Sequence, residues 1–329
     1  MSLPRLKLDR DRVLQLTIPV VLLALWSLFI YLFAPSGGKD AKQIVIKPGF
    51  STAQIARLLH EEGVISSPLG FRLLVRLEGV GGKLKAGNYL LSGELSPRQI
   101  VRKLAEGQVD TISITIPEGY NTKQIASLVE KNGIGTAKSF LDKVASPSEE
   151  MRALVNLPRG RSLEGFLFPD TYSIGPGDGE DVLIQLMLKR FAQVVPAALV
   201  GSPLSYYDTV ILASIIEKEA KLQKERPLIS AVFHNRLKKG MRLQSCATVA
   251  YVLDKNQAKL SYEDLRVESE YNTYLNAGLP PEPICNPGLA SIKAAAKPAD
   301  VEYLYFFAQG DGTHHFSRTY QEHLDAQKR

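Results

Sequence analysis

The chain has 329 residues, 45% of them apolar, and a formal net charge of +6. That length accommodates two or three domains, and that apolar share builds a sizeable core, so a disordered chain is excluded. The positive excess suits an anionic surface. No arginine-rich block or aromatic platform marks nucleic acid as the partner.

Residues 13–34 carry no charge and include Leu22-Leu23-Ala24-Leu25-Trp26 and Leu28-Phe29-Ile30-Tyr31-Leu32-Phe33. About 20 apolar residues span a bilayer, so this stretch predicts a single transmembrane helix. Arg5, Lys7, Arg10 and Arg12 precede it; only Lys39 and Lys42 closely follow, offset by Asp40. The excess on the amino-terminal side places a tail over 1–12 in the cytoplasm and the rest of the chain outside, with Trp26 and Tyr31 as interface anchors. A cleaved signal peptide is the rival. The run is long for one, and Leu32-Phe33-Ala34 is a poor cleavage site. Residues 35–43, containing Pro35-Ser-Gly-Gly-Lys-Asp, read as a short flexible linker.

An internal repeat follows at an offset of 70 residues. Ile46-Lys-Pro-Gly-Phe-Ser-Thr-Ala-Gln-Ile55-Ala56 is echoed by Ile116-Pro-Glu-Gly-Tyr-Asn-Thr-Lys-Gln-Ile125-Ala126. Each copy predicts a strand, a turn at Gly49 or Gly119, a polar cap and an amphipathic helix closed by glycine. Between the copies lie a helical Phe71–Leu77 segment, a strand at Gly87-Asn-Tyr-Leu-Leu and a helix beginning at Ser96-Pro97. The motif resembles the opening of LysM-type carbohydrate modules, which gives a LysM-like module over 44–110. Two β-α packing units with no ligand fit the repeat equally well.

Residues 147–161 read as loop. In Leu163–Tyr172 the aromatics at 166, 168 and 172 alternate as strand residues do. Three co-facial aromatics stack on sugars but more often form core. A helix is predicted over Asp181–Val194, ending before Pro196. The run Asp208-Thr-Val-Ile-Leu-Ala-Ser-Ile-Ile-Glu217-Lys-Glu219-Ala220 reads as a buried helix that ends in two carboxylates. Helices over 225–240 and 289–296 flank a turn-rich segment with Tyr271-Asn-Thr-Tyr274, Gly278-Leu-Pro-Pro281 and Pro283-Ile-Cys-Asn-Pro-Gly288. A strand at 303–308 and a glycine turn at 310–312 complete a hairpin. The fold class is α+β, with a mixed α+β catalytic domain over 111–329.

Glu217 and Glu219 are two apart, so they leave a helix on nearly opposite sides and cannot form one dyad. At least one abuts apolar surface, where burial favours a protonated carboxyl fit for general acid work. Glu219 has a ready ion-pair partner in Arg226 or Arg236. The five histidines show no ligand spacing, and neither Gly-x-Ser-x-Gly nor a phosphate loop is present. No metal or other cofactor is expected. Cys246 and Cys285, the only cysteines, are too few for a disulfide framework, and two free thiols fit the sequence as well as one bond.

Glu164-Gly-Phe-Leu-Phe-Pro-Asp-Thr-Tyr172, Ala213-Ser-Ile-Ile-Glu-Lys-Glu219, Val232-Phe-His-Asn-Arg-Leu237, Met241-Arg-Leu-Gln-Ser245, Tyr271–Tyr274, Gly278–Pro281, Asn286-Pro-Gly288 and Tyr303-Leu-Tyr-Phe306 occur in this order. Together they resemble the endolytic murein transglycosylase family, the YceG-like proteins. The resemblance covers nearly the whole chain. It implies cleavage of the MurNAc-β-1,4-GlcNAc bond inside peptidoglycan strands, leaving 1,6-anhydroMurNAc ends, with Glu217 as the catalytic residue. Gln244, Ser245, Tyr271, Asn272, Thr273 and Glu164 are the candidates for substrate binding. It further implies a single-pass inner-membrane protein with an extracytoplasmic catalytic domain, working beside cell-wall synthases (penicillin-binding proteins) as a terminator of nascent strands. Where the family reads Asp-Pro after Leu-Gln-(Ser/Thr), this chain has Cys246-Ala247, so that aspartate is not a second carboxylate here. Cys285 lies in another family motif, and an envelope location motivates a Cys246–Cys285 disulfide as an expectation. A hydrolytic muramidase would require another carboxylate, such as Asp170 or Asp208. A membrane-anchored glycan-binding scaffold without activity is the third reading.

Overall fold

The computed structural model describes residues 10–328 except 109–110, 176–177 and 256–259, with no side chains for 10–17, 24 and 25. The chain divides into two compact units, one of residues 1–112 with 175–177, the other of 113–174 with 178–329.

The first unit contains α1 (Arg10–Phe33), β1 (Lys42–Ile46), α2 (Thr52–Glu61), α3 (Pro68–Leu77), β2 (Gly87–Leu91) and α4 (Pro97–Glu106). β1 and β2 pair antiparallel, with Ile44 opposite Tyr89. Ile44, Ile46, Ile55, Leu59, Phe71, Tyr89, Ile100 and Leu104 form its core. The motif residues of the repeat are consumed by folding. Gly49 supplies a φ of 86° at the turn, Ser51 and Gln54 close a capping box on α2, and Ile55, Ala56 and Leu59 are buried. The likeness to carbohydrate modules thus has no support in this unit, where turn, cap and core account for Gly49, Ser51, Gln54, Ile55 and Ala56.

The membrane span expected over 13–34, and with it the single-pass inner-membrane placement, is overturned. No helix among the described residues is long and apolar enough to cross a membrane. α1 opens on Arg10-Asp11-Arg12 and contains Pro19, which removes one main-chain hydrogen bond. Residues 1–9 of the expected cytoplasmic tail lie outside the described residues. α1 crosses α3 closely: a Cβ on Gly70 would strike the main chain of Leu32. The segment read as a flexible linker is pinned at its start. Pro35 bridges to Ile65, Ser36 Oγ donates to the carbonyls of Gly63 and Val64, and Gly37 N–H donates to Gly93 O.

The second unit follows with β3 (Ile112–Thr115), α5 (Thr122–Lys131), α6 (Ala137–Ala145), α7 (Glu149–Leu154), β4 (Thr171–Ile174) and α8 (Glu180–Ala198). β3 pairs with β4. The repeat therefore extends beyond its motif: strand, helix, helix, strand, helix recurs, with α7 inserted. Asn121 and Gln124 close the capping box of α5, and Ile125, Ala126 and Val129 are buried beneath it. Of the three alternating aromatics, only Tyr172 lies in a strand. Phe166, Phe168 and Tyr172 are all buried; Phe166 packs 5.0 Å from Phe191 and 5.8 Å from Tyr207. They are core, not a sugar platform. α8 runs past the predicted stop and includes Pro196 in its last turn.

The rest of this unit surrounds α9 (Tyr206–Glu219). α10 (Arg226–Lys238), α11 (Cys246–Leu253), α12 (Leu289–Ala296), the hairpin β5 (Tyr305–Ala308) and β6 (His314–Ser317), and α13 (Tyr320–Gln327) follow. Ser205 caps α9, and residues 209–216 are buried without exception. A helix that is apolar on every side has to be packed on every side, and α12, α10 and α11 all contact α9.

Candidate active site

α9 delivers Glu217 from this core to a polar junction. The Glu217 side chain is only 7% exposed. Its Oε1 accepts a hydrogen bond from Arg226 Nη2 at 3.1 Å, and its Oε2 accepts one from the Gly288 main-chain N–H at 3.0 Å. Arg226 is held in turn, its Nε donating to Ser291 Oγ at 2.8 Å. The carboxyl plane is thus set by one side chain at the start of α10 and one N–H just before α12. The wall expected to be apolar is polar at the carboxyl itself.

The turn of the second repeat copy closes the site. A Cβ on Gly119 would sit 3.5 Å from Glu217 Cγ, whereas one on the matching Gly49 would meet nothing within 4 Å. Gly119 N–H donates to Asn286 O, and Lys218 Nζ donates to Gly119 O at 3.3 Å. Gly119 and Lys218 also line a cavity of about 470 Å³, together with Asn121, Gln124 and Tyr251. One turn motif is therefore a plain turn in its first copy and a wall of the site in its second.

Asn286 ties the loops together. Its Oδ1 accepts from Leu167 N–H, and its Nδ2 donates to Tyr120 O and to Glu164 Oε1, each at 3.0 Å. Glu164 is only 2% exposed and also accepts from the N–H and Oγ1 of Thr122. Its bonds are spent on positioning the α5 and Asn286 loops. Ser245, Asn272 and Thr273 are buried as well. Ser245 Oγ donates to Glu219, Asn272 Nδ2 holds the carbonyls of Leu265 and Val267, and Thr273 Oγ1 accepts from Ser245 N–H. These four residues shape the rim from inside. Gln244 is exposed and Tyr271 half-buried. Gln244 sits in the left-handed region at φ 52°, and Tyr271 packs 5.3 Å from Tyr251. Of the predicted binding residues, Gln244 and Tyr271 are the ones that keep surface.

Three further expectations change. Arg226 pairs with Glu217, not Glu219. Both cysteines are free thiols: Cys246 Sγ lies 3.0 Å from Tyr274 Oη, Cys285 Sγ faces Ser214 O, and the disulfide does not form. Burial pushes both thiols above their ordinary range, so neither is primed as a nucleophile. Asp170 pairs with Arg190, and Asp208 lies in the first turn of α9. Nine residues separate Asp208 from Glu217, about 13 Å along a helix, too far to share a substrate atom.

Two residues escaped the sequence reading: Arg226 as the partner of Glu217, and Glu118. A Cβ on Gly288 would fall on the Glu118 carboxyl, so Glu118 lies against the residue that binds Glu217. A signal was present, because at the 70-residue offset Glu118 stands where the first copy has Pro48.

Burial pushes the Glu164 carboxyl up to about 7, against the lowering effect of its bonds from Thr122. Below the ordinary carboxyl range the folded and unfolded chains both hold this proton. As pH rises from about 4.5 to about 7, the unfolded chain releases it first, so stability falls across that window. Urea unfolding should lose about 2–4 kcal/mol more between pH 4.5 and pH 8 in the wild type than in Glu164→Gln. Parallel curves for the two proteins would remove Glu164 as the cause.

The YceG-like family model matches residues 44–329. An endolytic murein transglycosylase of Bacillus subtilis (strain 168) is 33% identical over 310 residues, covering 88% of this chain and 86% of that protein. An endolytic murein transglycosylase of Streptococcus pneumoniae serotype 2 is 29% identical over 322 residues, covering 88% of this chain and 58% of that protein. The 2.6 Å crystal structure of a putative yceG-like protein from Listeria monocytogenes aligns with a TM-score of 0.59 at 34% identity, covering 87% of this chain and 99% of that one.

Proposed function

The chain belongs to the YceG-like family and is a lytic transglycosylase, a lyase, and from that premise we propose that Glu217 is the single acid–base residue of its reaction. The substrate is the glycan strand of peptidoglycan, cut at the MurNAc-β-1,4-GlcNAc bond. Protonated Glu217 donates to the glycosidic oxygen as the bond from the anomeric carbon breaks. The muramic acid 6-hydroxyl then attacks that carbon and returns its proton to Glu217. A 1,6-anhydro end results, the proton count closes on one residue, and no water is consumed. The observation that carries this reading is the fixed carboxyl of Glu217, held on both oxygens by Arg226 and Gly288. A preset carboxyl plane keeps proton donation and proton return aimed at one place.

Gln244 and Tyr271, which keep exposed surface, are the residues proposed to meet the sugar chain. Cutting within strands in this way ends them, which fits a terminator of nascent glycan working beside cell-wall synthases. Asp170, paired with Arg190, and Asp208, in the first turn of α9, do not favour the hydrolytic reading. Digestion of uncrosslinked glycan, followed by product masses, tests the reaction. Anhydro ends are expected throughout; products heavier by one water would make the enzyme a muramidase, and uncut glycan would leave a binding scaffold.

A further inference from the structure

Glu118 is a carboxyl group at this site that the reaction above does not use. It is an exposed residue of the turn Ile116-Pro-Glu-Gly-Tyr120. Its position is specific. Gly288 has an ordinary extended backbone, φ −75° and ψ 166°, which any residue adopts, yet a Cβ there would land on the Glu118 carboxyl. The Glu118 carboxyl therefore occupies the space a side chain at 288 would take. The same Gly288 gives its N–H to Glu217 Oε2. Two carboxyl groups thus converge on one glycine.

The charged groups around Glu118 are Glu217 and Lys218 from α9 and Arg226 from α10. Lys218 is engaged with Gly119 O, and Arg226 with Glu217 and Ser291. Two carboxylates beside one guanidinium repel each other, and the pair keeps a proton that neither would keep alone. Consistent with this, partial burial and the Glu217 charge raise the Glu118 pKa, while Arg226 opposes them.

We propose that Glu118 is a positioning residue that forms a coupled carboxyl pair with Glu217 and holds the reaction's proton on that pair. The inference rests on Glu217 being the acid–base residue. It involves no bond change at Glu118: the proton resides on the pair, passes from Glu217 to the leaving oxygen, and comes back from the 6-hydroxyl. Its consequence is a pH dependence that belongs to two groups. The alkaline limb of kcat reports loss of the pair's proton. Without the Glu118 charge, that limb is expected at lower pH.

The test is the pH profile of kcat on uncrosslinked glycan for wild type, Glu118→Gln, Glu118→Asp and Gly288→Ala. Glu118→Gln changes an exposed side chain and is expected to fold normally. Its alkaline limb should move down by about one pH unit, the scale of coupling between adjacent acids, and Glu118→Asp should restore part of the shift. Gly288→Ala keeps the N–H to Glu217 but evicts the Glu118 carboxyl, and should show the same displacement. A limb that overlies the wild type in Glu118→Gln overturns the proposal. So does loss of all activity at every pH in that variant, which would assign Glu118 direct chemistry. If Glu217→Gln remains active, the underlying reading fails; if that variant is dead and the limb is unmoved, only the pair fails.

Discussion

Glu217→Gln should lower glycan cleavage by about 10³-fold or more, with the fold intact. General acid–base groups contribute typically 10²–10⁴-fold, and here a single residue is asked both to give and to take the proton. An amide of the same size can do neither. Glutamine keeps an oxygen that can accept from Gly288 N–H, so the loop before α12 stays in place. Circular dichroism should remain close to wild type and the urea midpoint should fall, because Arg226 is left buried without its carboxylate, while anhydro products disappear from the digest. Retention of more than a tenth of the activity would remove Glu217 from the chemistry. The nearby Glu219 would not replace it, because its carboxyl accepts from Ser245 at the foot of α11.

The second large effect is at Arg226. Its guanidinium is 8% exposed and joins α10 to α9 through Glu217 and to α12 through Ser291. Arg226→Met keeps much of the packing volume and removes both polar links. The Glu217 carboxylate is then left buried with the Gly288 N–H still donating to it, and removing one partner of a buried ion pair costs about 3–5 kcal/mol. Urea unfolding should show that loss, and activity should fall with it because the carboxyl plane is no longer fixed. The double variant Glu217→Gln/Arg226→Met separates the contributions. Its destabilisation should be clearly smaller than the sum of the singles, since the charge that Arg226 compensates is already gone. Additive losses would mean that Arg226 serves packing alone.

Much of this protein is legible without coordinates. The α9 helix follows from an apolar run with no polar face, and such a run has only one comfortable place, inside. The repeat, its caps and its glycine turns follow from local rules, since a Ser or Asn cap and a Gln three residues on satisfy each other within one turn. The family motifs single out Glu217 where helix periodicity leaves Glu217 and Glu219 equal. Where local reasoning went astray, a distant residue decided the outcome. Ser245, Asn272, Thr273 and Glu164 are candidates for binding by family resemblance, and all four side chains are buried. Their partners, drawn from other loops, turn them inward.

The sequence by itself therefore determined the capped helices of the repeat and the buried run of α9, because periodicity and capping are properties of neighbours along the chain; a helix such as α7, inside a stretch that reads as loop, was not among them. Only the tertiary structure decided the company that Glu217 keeps. Gly288 reaches Glu217 across 71 positions and Gly119 reaches Lys218 across 99. Such meetings depend on how α9, α12 and the second turn pack together, and no short window contains them. That packing turned Arg226 from the expected partner of Glu219 into the clamp on Glu217. It also brought Glu118, a substitution for proline in one copy of a repeated turn, to the same glycine.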